Sequence, residues 1–479
     1  MRALGTVGDG RSNRDAPGEC FQDVARMSSS DNERLQDRRA IENNDDINPN
    51  TPWTNLLSND FWGTPLTHSG SHKSYRPLCV ATFRLNFFLH GLNPVGYHLV
   101  NVALHGLATA LFASTCRSLL FRDSVAVWTA ALTFAAHPVH VEAVAGLVGR
   151  ADVLACITFL LSFSAYRRHV TARTKAAFES GASNHSSSRH AAAATRQLAA
   201  CVALAGVSML CKEHGITVLA VCAGYDVFVV ARMTWKDIWS LGDTKGKFKR
   251  RANDRWPRRR GLNASADNPA AQSEALLTRT STFAFLPVLN FLLLLWPRWL
   301  SFDWSMDTVP LVESLTDSRV AATACFYGLL VALVHKAYSS KDRGLTTALL
   351  LLIVPFIPAS NLLFHVGFVV AERVLYLPST GFCLLVGLGA GLVARRRRHL
   401  ARVLVAVVLC AFAARTLVRN RDWVDEHALY TSGIPVNPAK SYGNLGRVLS
   451  AEGREKEAEA AYMSAIRLRP NMADAHYNL

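Results

Sequence analysis

HPVHVEAVAGLVGRAD, His137 to Asp152, lies between two apolar runs and carries two histidines, a glutamate, an arginine and an aspartate. Ionisable groups beside membrane-spanning segments are costly unless they face water, protein or a ligand, so such a cluster marks a site. Read as one helix from Pro138 onward, with about 100° per residue, the stretch puts His137, His140, Val141, Val144 and Val148 on one flank. Glu142 then points the other way. A His-x-x-His pair whose glutamate lies opposite lacks a third convergent ligand, which argues against zinc. Two readings remain. In one, an amphipathic helix lies at the membrane interface with its histidines bonded to backbone; in the other, which we favour, the stretch walls a pocket for a polar headgroup or substrate.

The flanking apolar runs settle the class. The chain has 479 residues, half of them hydrophobic, and 52 Lys and Arg against 36 Asp and Glu, a net charge of +16. Its mean hydropathy is +0.14. A basic balance suits nucleic acid or a membrane. Apolar stretches at 97–116, 124–136, 151–166, 196–211, 215–232, 281–297, 319–337, 344–358, 374–394 and 400–418 decide for the membrane, since a spanning helix needs about 20 residues. The expected fold is therefore an all-α polytopic membrane protein with no nucleic-acid partner. The cysteines sit mostly inside these stretches without a CxxC pair and read as small hydrophobes.

Basic loops stay cytosolic, and the two richest are 233–262 and Arg395–Arg398. Alternating from them places 117–123, 167–196 and 335–344 in the cytosol as well. The lumenal side then receives 1–96, 137–150, 211–215, 297–319, 359–373 and everything after about 419. Nearly all polar motifs fall on that side: His137–Asp152, KEHG at Lys212–Gly215, SFDWSMD at Ser301–Asp307 and AERVLYLPS at Ala371–Ser379. This pattern predicts one lumen-facing cavity, with Glu142, Asp152, Lys212, Glu213, His214, Asp303 and Glu372 as lining candidates. Each has a local alternative: a Glu372–Arg373 pair at a helix end, a solvated turn at Asp303 and Asp307, a hairpin cap at Lys212–Glu213. Asn184 and Asn263, the two Asn-x-Ser signals, fall in cytosolic loops and are expected to carry no glycan.

Ahead of the spans, Thr51–Asn86 brings aromatics and a basic cluster of His72, Lys73, Tyr75, Arg76 and Arg84. Arg76 precedes Pro77, which favours extended backbone there. Arginine and lysine near a bilayer reach lipid phosphates, and a pocket for a phosphate-bearing lipid uses the same residues. Beyond the last span, Asn444-Leu445 recurs as Asn478-Leu479, with Gly453, Ala458, Ala461-Tyr462, Ala465 and Pro470 between. That is the tetratricopeptide (TPR) spacing, in which small residues let paired helices touch. One unit cannot bury its own apolar face, so the chain is expected to continue past Leu479. The organisation is then a polar, disordered 1–37, a lumenal first loop at 38–96, a multi-span catalytic domain at 97–418, and a lumenal linker with the start of a TPR α-solenoid at 419–479.

NDFWGTP, SHKSYRPLCVATFRLN, GYHLVNVALHG, HPVHVEAVAGLVGRADVLA, KEHGITVLAVCAGYD, FDWSMD and ASNLLFHVGFVVAERVLYLPSTGFCLLV together resemble the transmembrane and TPR repeat-containing proteins over residues 38–479. Those are endoplasmic-reticulum O-mannosyltransferases of the GT-C type. The resemblance implies transfer of mannose from dolichyl-phosphate mannose to Ser or Thr hydroxyls of secretory-pathway proteins, cadherin-type domains among them, with further partners bound by the TPR region. No cofactor and no metal is implied, because cations suffice for a monophosphate leaving group. The family carries an acidic pair after its first helix; here LQDRRAI offers Asp37 at the second acidic position and Gln36 at the first, and the first family span is absent. Asp37 is the expected base. Arg76, Arg84, Arg150, Arg373 and Lys73 are expected at the donor phosphate, with His137 and His140 as secondary donors. The competing reading is a catalytically inactive membrane scaffold whose lumenal repeats bind partner proteins.

Overall fold

The computed structural model describes residues 39–120, 123–179, 184–233, 268–363 and 366–479. Asp37, Gln36, Asn263 and almost all of the basic 233–262 loop lie outside the described residues. Among those described, the structure is helical with no strand. Helix α1 (Pro77–His90) precedes α2 (Pro94–Leu119) and the short α3 (Ser124–Ala136). Then come α4 (Val141–Ala145), α5 (Arg150–Glu179), α6 (Asn184–Cys211), and α7 (Val218–Gly224), which runs on as a π-turn at Tyr225–Val230. The second half holds α8 (Leu276–Leu295), α9 (Ser318–Ser340), α10 (Arg343–Ile353), α11 (Ser379–Arg396) and α12 (Arg398–Asp422). Every apolar run read from the sequence is a helix. Among the described residues, seven helical segments are long and apolar enough to cross a membrane, and those at Ser124–Ala136 and Arg343–Ala359 are shorter.

Caps written into the sequence fix where these helices begin. Asn93 accepts from the Val95 amide ahead of Pro94, Asp123 from Ala126, Asp317 from Arg319, and Asp342 from Gly344 and Leu345. A side-chain oxygen at the N-cap satisfies amides that have no partner within the helix. Helix α5 is the axis, with 78% of its apolar window buried, whereas α9 buries 6% and α12 11% of theirs. The outer helices thus offer their apolar surface outward, as lipid-facing spans do.

The stretch from His137 to Asp152 is not one helix. It breaks into a 3-10 turn at Pro138–His140, α4, an extended Gly146, a second 3-10 turn at Leu147–Gly149, and the start of α5. Gly149 allows the fold-back: a Cβ there would lie 2.5 Å from the Ala143 backbone. The break overturns the simple flank assignment, and both Glu142 and Asp152 turn inward and are buried. Arg150, fully buried, bolts the turn to its surroundings by donating to Asn101 and Asn86 at 2.7 Å each and to the Tyr97 carbonyl at 3.0 Å.

Contacts at the two flanks of α8 bear on how the spans alternate. Asn268, ahead of it, donates to Asn361 (3.2 Å) and to the Val366 carbonyl (3.1 Å), in the segment that connects α10 to α11. Near its other end the Leu294 carbonyl meets His137 at 2.9 Å. Both flanks of α8 therefore meet the end of the bundle that carries the polar motifs.

After α12 come α13 (Glu426–Gly433), then α14 (Pro438–Ala451) and α15 (Glu455–Leu468), which form a tight hairpin, and α16 (Ala473–Asn478). Tyr462 of α15 packs over Gly446 of α14, and Met472 over Gly443, the small-against-large packing that the 34-residue spacing calls for. In a cysteine-free background, single cysteines at Ser273 and Ser314 are expected to react with an impermeant maleimide from the same side of the membrane. Labelling from opposite sides would restore α8 as a simple crossing.

Candidate functional site

Three acid–base couples come together at this end of the bundle. Lys212 directly follows α6, and its Nζ lies 2.5 Å from both oxygens of Asp152 in the first turn of α5. Lys212 is 8% exposed and Asp152 1%, so the pair joins two long helices inside the protein. Arg76, the non-helical residue that precedes α1 at Pro77, forks onto Glu213 with Nε and Nη2 each 3.1 Å from a carboxylate oxygen. Arg373 gives its amide to Glu142 Oε2 at 3.0 Å and holds its Nε 3.6 Å from Oε1.

The three cations share one electrostatic neighbourhood. Burial pulls the Lys212 ammonium below its ordinary value, Asp152 opposes that, and Arg76 and Arg373 add to it as like charges. Openness differs among them. The Arg76 and Arg373 side chains remain 17% and 25% exposed, whereas Lys212 is shut in. Two partly open guanidiniums around a buried ammonium can receive an anion with bidentate hydrogen bonds. His214 sits half-buried beside Lys212 and Asp152.

Glu372, next to Arg373, is fully buried and does not pair with it. Its Oε1 accepts from the Ser301 amide (2.6 Å) and the Trp304 indole (3.1 Å), and its Oε2 lies 3.8 Å from Nη2 of the equally buried Arg419. Burial raises the Glu372 carboxyl to about 7, Glu142 adds to the rise, and Arg419 and the two donors pull it down. Asp303 is not in a solvated turn; it lies 3.5 Å from Lys440 of α14.

Four of the expected phosphate ligands and donors are occupied elsewhere. Arg84 donates to the carbonyls of Asp46, Pro49 and Thr51 and stacks over Trp53. Lys73 donates to the carbonyls of Leu66 and His68. Arg150 is the bolt described above. His137 donates from Nε2 to the Leu294 carbonyl and accepts the Val139 amide at Nδ1, and burial lowers it to about 4. A neutral imidazole with both nitrogens used is no phosphate ligand. His140 meets the Ser379 hydroxyl at 2.8 Å, inside a ring cluster with His105, Phe134 and Tyr376.

His105, Tyr376, Ser379 and Arg419 were not singled out from the sequence. The first three stand inside polar-aromatic motifs, His105 and Ser379 on apolar helices and Tyr376 in the turn before α11, which was the available signal. Arg419 stands in a basic helix end and gave none.

Fold and site define an all-α polytopic membrane protein with a cationic, acid-balanced centre at one end of the bundle and a helical hairpin fastened beside it. Residues 262–331 match the family model described as Protein O-mannosyl-transferase TMTC, DUF1736. The chain is 42% identical to the protein O-mannosyl-transferases TMTC2 of Mus musculus and Homo sapiens, across 92% of this chain and 60% of theirs. It is 40% identical to Tmtc1 of Drosophila melanogaster over the same shares. No solved structure gives a significant match. The chain is thus similar to the TMTC proteins over nearly all of its length, and it spans about 60% of the length of these curated relatives.

The buried histidines give the fold an acid sensitivity. A histidine held near 4 against an ordinary 6.5 contributes stability that is complete above pH 6.5 and is lost as pH falls toward 4, because the unfolded chain binds the proton more readily. Between pH 7 and pH 5, His137 alone is expected to cost on the order of 2 kcal/mol. His140, also lowered by burial, adds to it. Thermal unfolding in detergent should show a falling midpoint over this range and a shallower fall in His137→Gln; equal slopes would contradict the assignment.

Proposed function

We propose that this chain is a protein O-mannosyltransferase that takes mannose from dolichyl-phosphate mannose and passes it to Ser or Thr hydroxyls of secretory proteins. The relatives' names supply the transferase class, and the centre formed by Arg76, Arg373 and Lys212 is the observation that carries the donor. As the bond from C1 of mannose to the phosphate oxygen breaks, the lipid phosphate gains negative charge. Arg76 and Arg373 then exchange their carboxylate partners for phosphate oxygens, and Lys212 supplies a fixed positive field that Asp152 keeps from being excessive. Preorganised cations aimed at developing charge are a large source of rate.

A new bond forms between the acceptor oxygen and C1, and the hydroxyl proton passes to a carboxylate acting as general base. Family likeness assigns that base to Asp37. The site faces the lumen of the endoplasmic reticulum, where the donor's sugar and the acceptor chains are found, and residues 419–479 begin a lumenal TPR array for further partners. Cadherin-type domains are the acceptors we expect.

Mannose transfer to a cadherin-domain acceptor in microsomes tests the reading. Arg76→Gln and Arg373→Gln are each expected to lower transfer by about 10- to 1,000-fold, and Asp37→Asn to abolish it. Unimpaired transfer by both arginine variants would move the phosphate site elsewhere. A wild-type chain without transfer, but retaining lumenal partners, would favour a scaffold.

A further inference from the structure

The segment Ser301–Thr308 touches both the centre and the helical hairpin. On the bundle side, the Ser301 amide and Trp304 indole hold Oε1 of Glu372, the residue before Arg373. On the other side three separate fastenings reach α13 and the start of α14. Lys440, whose side chain is 2% exposed, lies 3.5 Å from Asp303; Asn437 donates to the Ser305 carbonyl at 3.1 Å; and Phe302 meets the Tyr430 ring edge-on at 5.2 Å. Gly433 makes room for Phe302, since a Cβ there would lie 2.5 Å from the ring.

A second route joins the same parts. Phe302 and Val141 share one apolar cluster with Trp423, Leu429, Tyr430 and Val448, and Val141 directly precedes Glu142, the partner of Arg373. Glu372, which precedes Arg373, is thus held to the 301–308 segment by hydrogen bonds, and Glu142, which accepts the Arg373 amide, follows a residue packed in the same cluster. Met306, at φ +60 and packed among Leu449, Tyr462 and Met472, keeps a conformation that a non-glycine residue adopts only when its surroundings impose it.

We propose that the 301–308 segment is a coupling strut and that Lys440 is a positioning residue: by holding Asp303, α14 sets the placement of Glu372 and hence of Arg373 at the donor-phosphate centre. The hairpin is then a structural part of the site, and a load on the helices that follow it reaches Arg373 through the strut. The donor role of Arg373 rests on the transferase reading above; the mechanical link does not.

Hydrogen–deuterium exchange on the full chain in nanodiscs separates the two. In Lys440→Met and in Gly433→Ala, amides at 301–305 and 372–376 are expected to exchange about 10-fold faster or more, while those of α5 and α6 stay protected. The charge-swapped pair Asp303→Lys with Lys440→Asp is expected to recover protection. Faster exchange confined to 426–451 would overturn the strut. In transfer assays normalised to folded protein, kcat/KM for the donor is expected to fall about 10-fold in Lys440→Met with the acceptor KM unchanged, a split that general destabilisation does not produce. Unchanged donor kinetics with propagated exchange would sever Arg373 from the donor site and leave the link standing; a wild-type chain without transfer would defeat the transferase reading while exchange still decides the strut.

Discussion

The buried pair between Lys212 and Asp152 is the interaction on which the rest of this protein depends. It joins the end of α6 to the start of α5, with both groups almost wholly removed from solvent. Taking two charges out of water costs several kcal/mol each, and only close mutual contact repays it. The closeness of this pair therefore fixes how α5 and α6 meet. That junction sets where the chain leaves α6, and with it the place of Glu213 and of Arg76 bonded to it. The other side of the centre is built likewise, with Glu142 from the broken loop and Arg373 from the segment before α11. Each of the three cations in the centre has a carboxylate partner, so their charges are balanced. An arriving phosphate competes with carboxylates for two arginines that are partly open.

That balance separates cations that hold the fold from cations that can serve a ligand. Arg84 and Arg150 spend their donors on carbonyls and amides and are buried. Arg76 and Arg373 are paired with acids and retain solvent access. Hydrogen bonds to backbone acceptors cannot be traded for a ligand without leaving buried carbonyls unsatisfied, which costs about 1–3 kcal/mol each. Glu213, half exposed, is released toward solvent without such a penalty, and buried Glu142 keeps the Arg373 amide as a donor.

The fold was largely legible because hydrophobic runs and caps are local. Each apolar stretch became a helix, and Asp123, Asp317 and Asp342 mark their starts by hydrogen bonds only two or three residues long. Residue types at the centre were legible too, since charged residues beside apolar runs stand out. Their partners were not. Arg373 next to Glu372 suggests a local pair, yet Arg373 reaches back 231 positions to Glu142 and Glu372 reaches Arg419. The break at Gly146 and Gly149 was missed because helical periodicity continues through it, and the close approach to Ala143 is a tertiary fact.

A double-mutant cycle on Asp152 and Lys212 puts the founding interaction to the test most directly. Asp152→Asn and Lys212→Met alone each strand a buried charge and are expected to cost about 3–5 kcal/mol, whereas the double variant, with no charge left, should recover most of that loss. Recovery, read as thermal unfolding of the purified chain in one detergent, would establish that the pair is coupled and buried as described. Strictly additive losses would mean that the two residues do not sense each other, and the centre built around them would fall with that result.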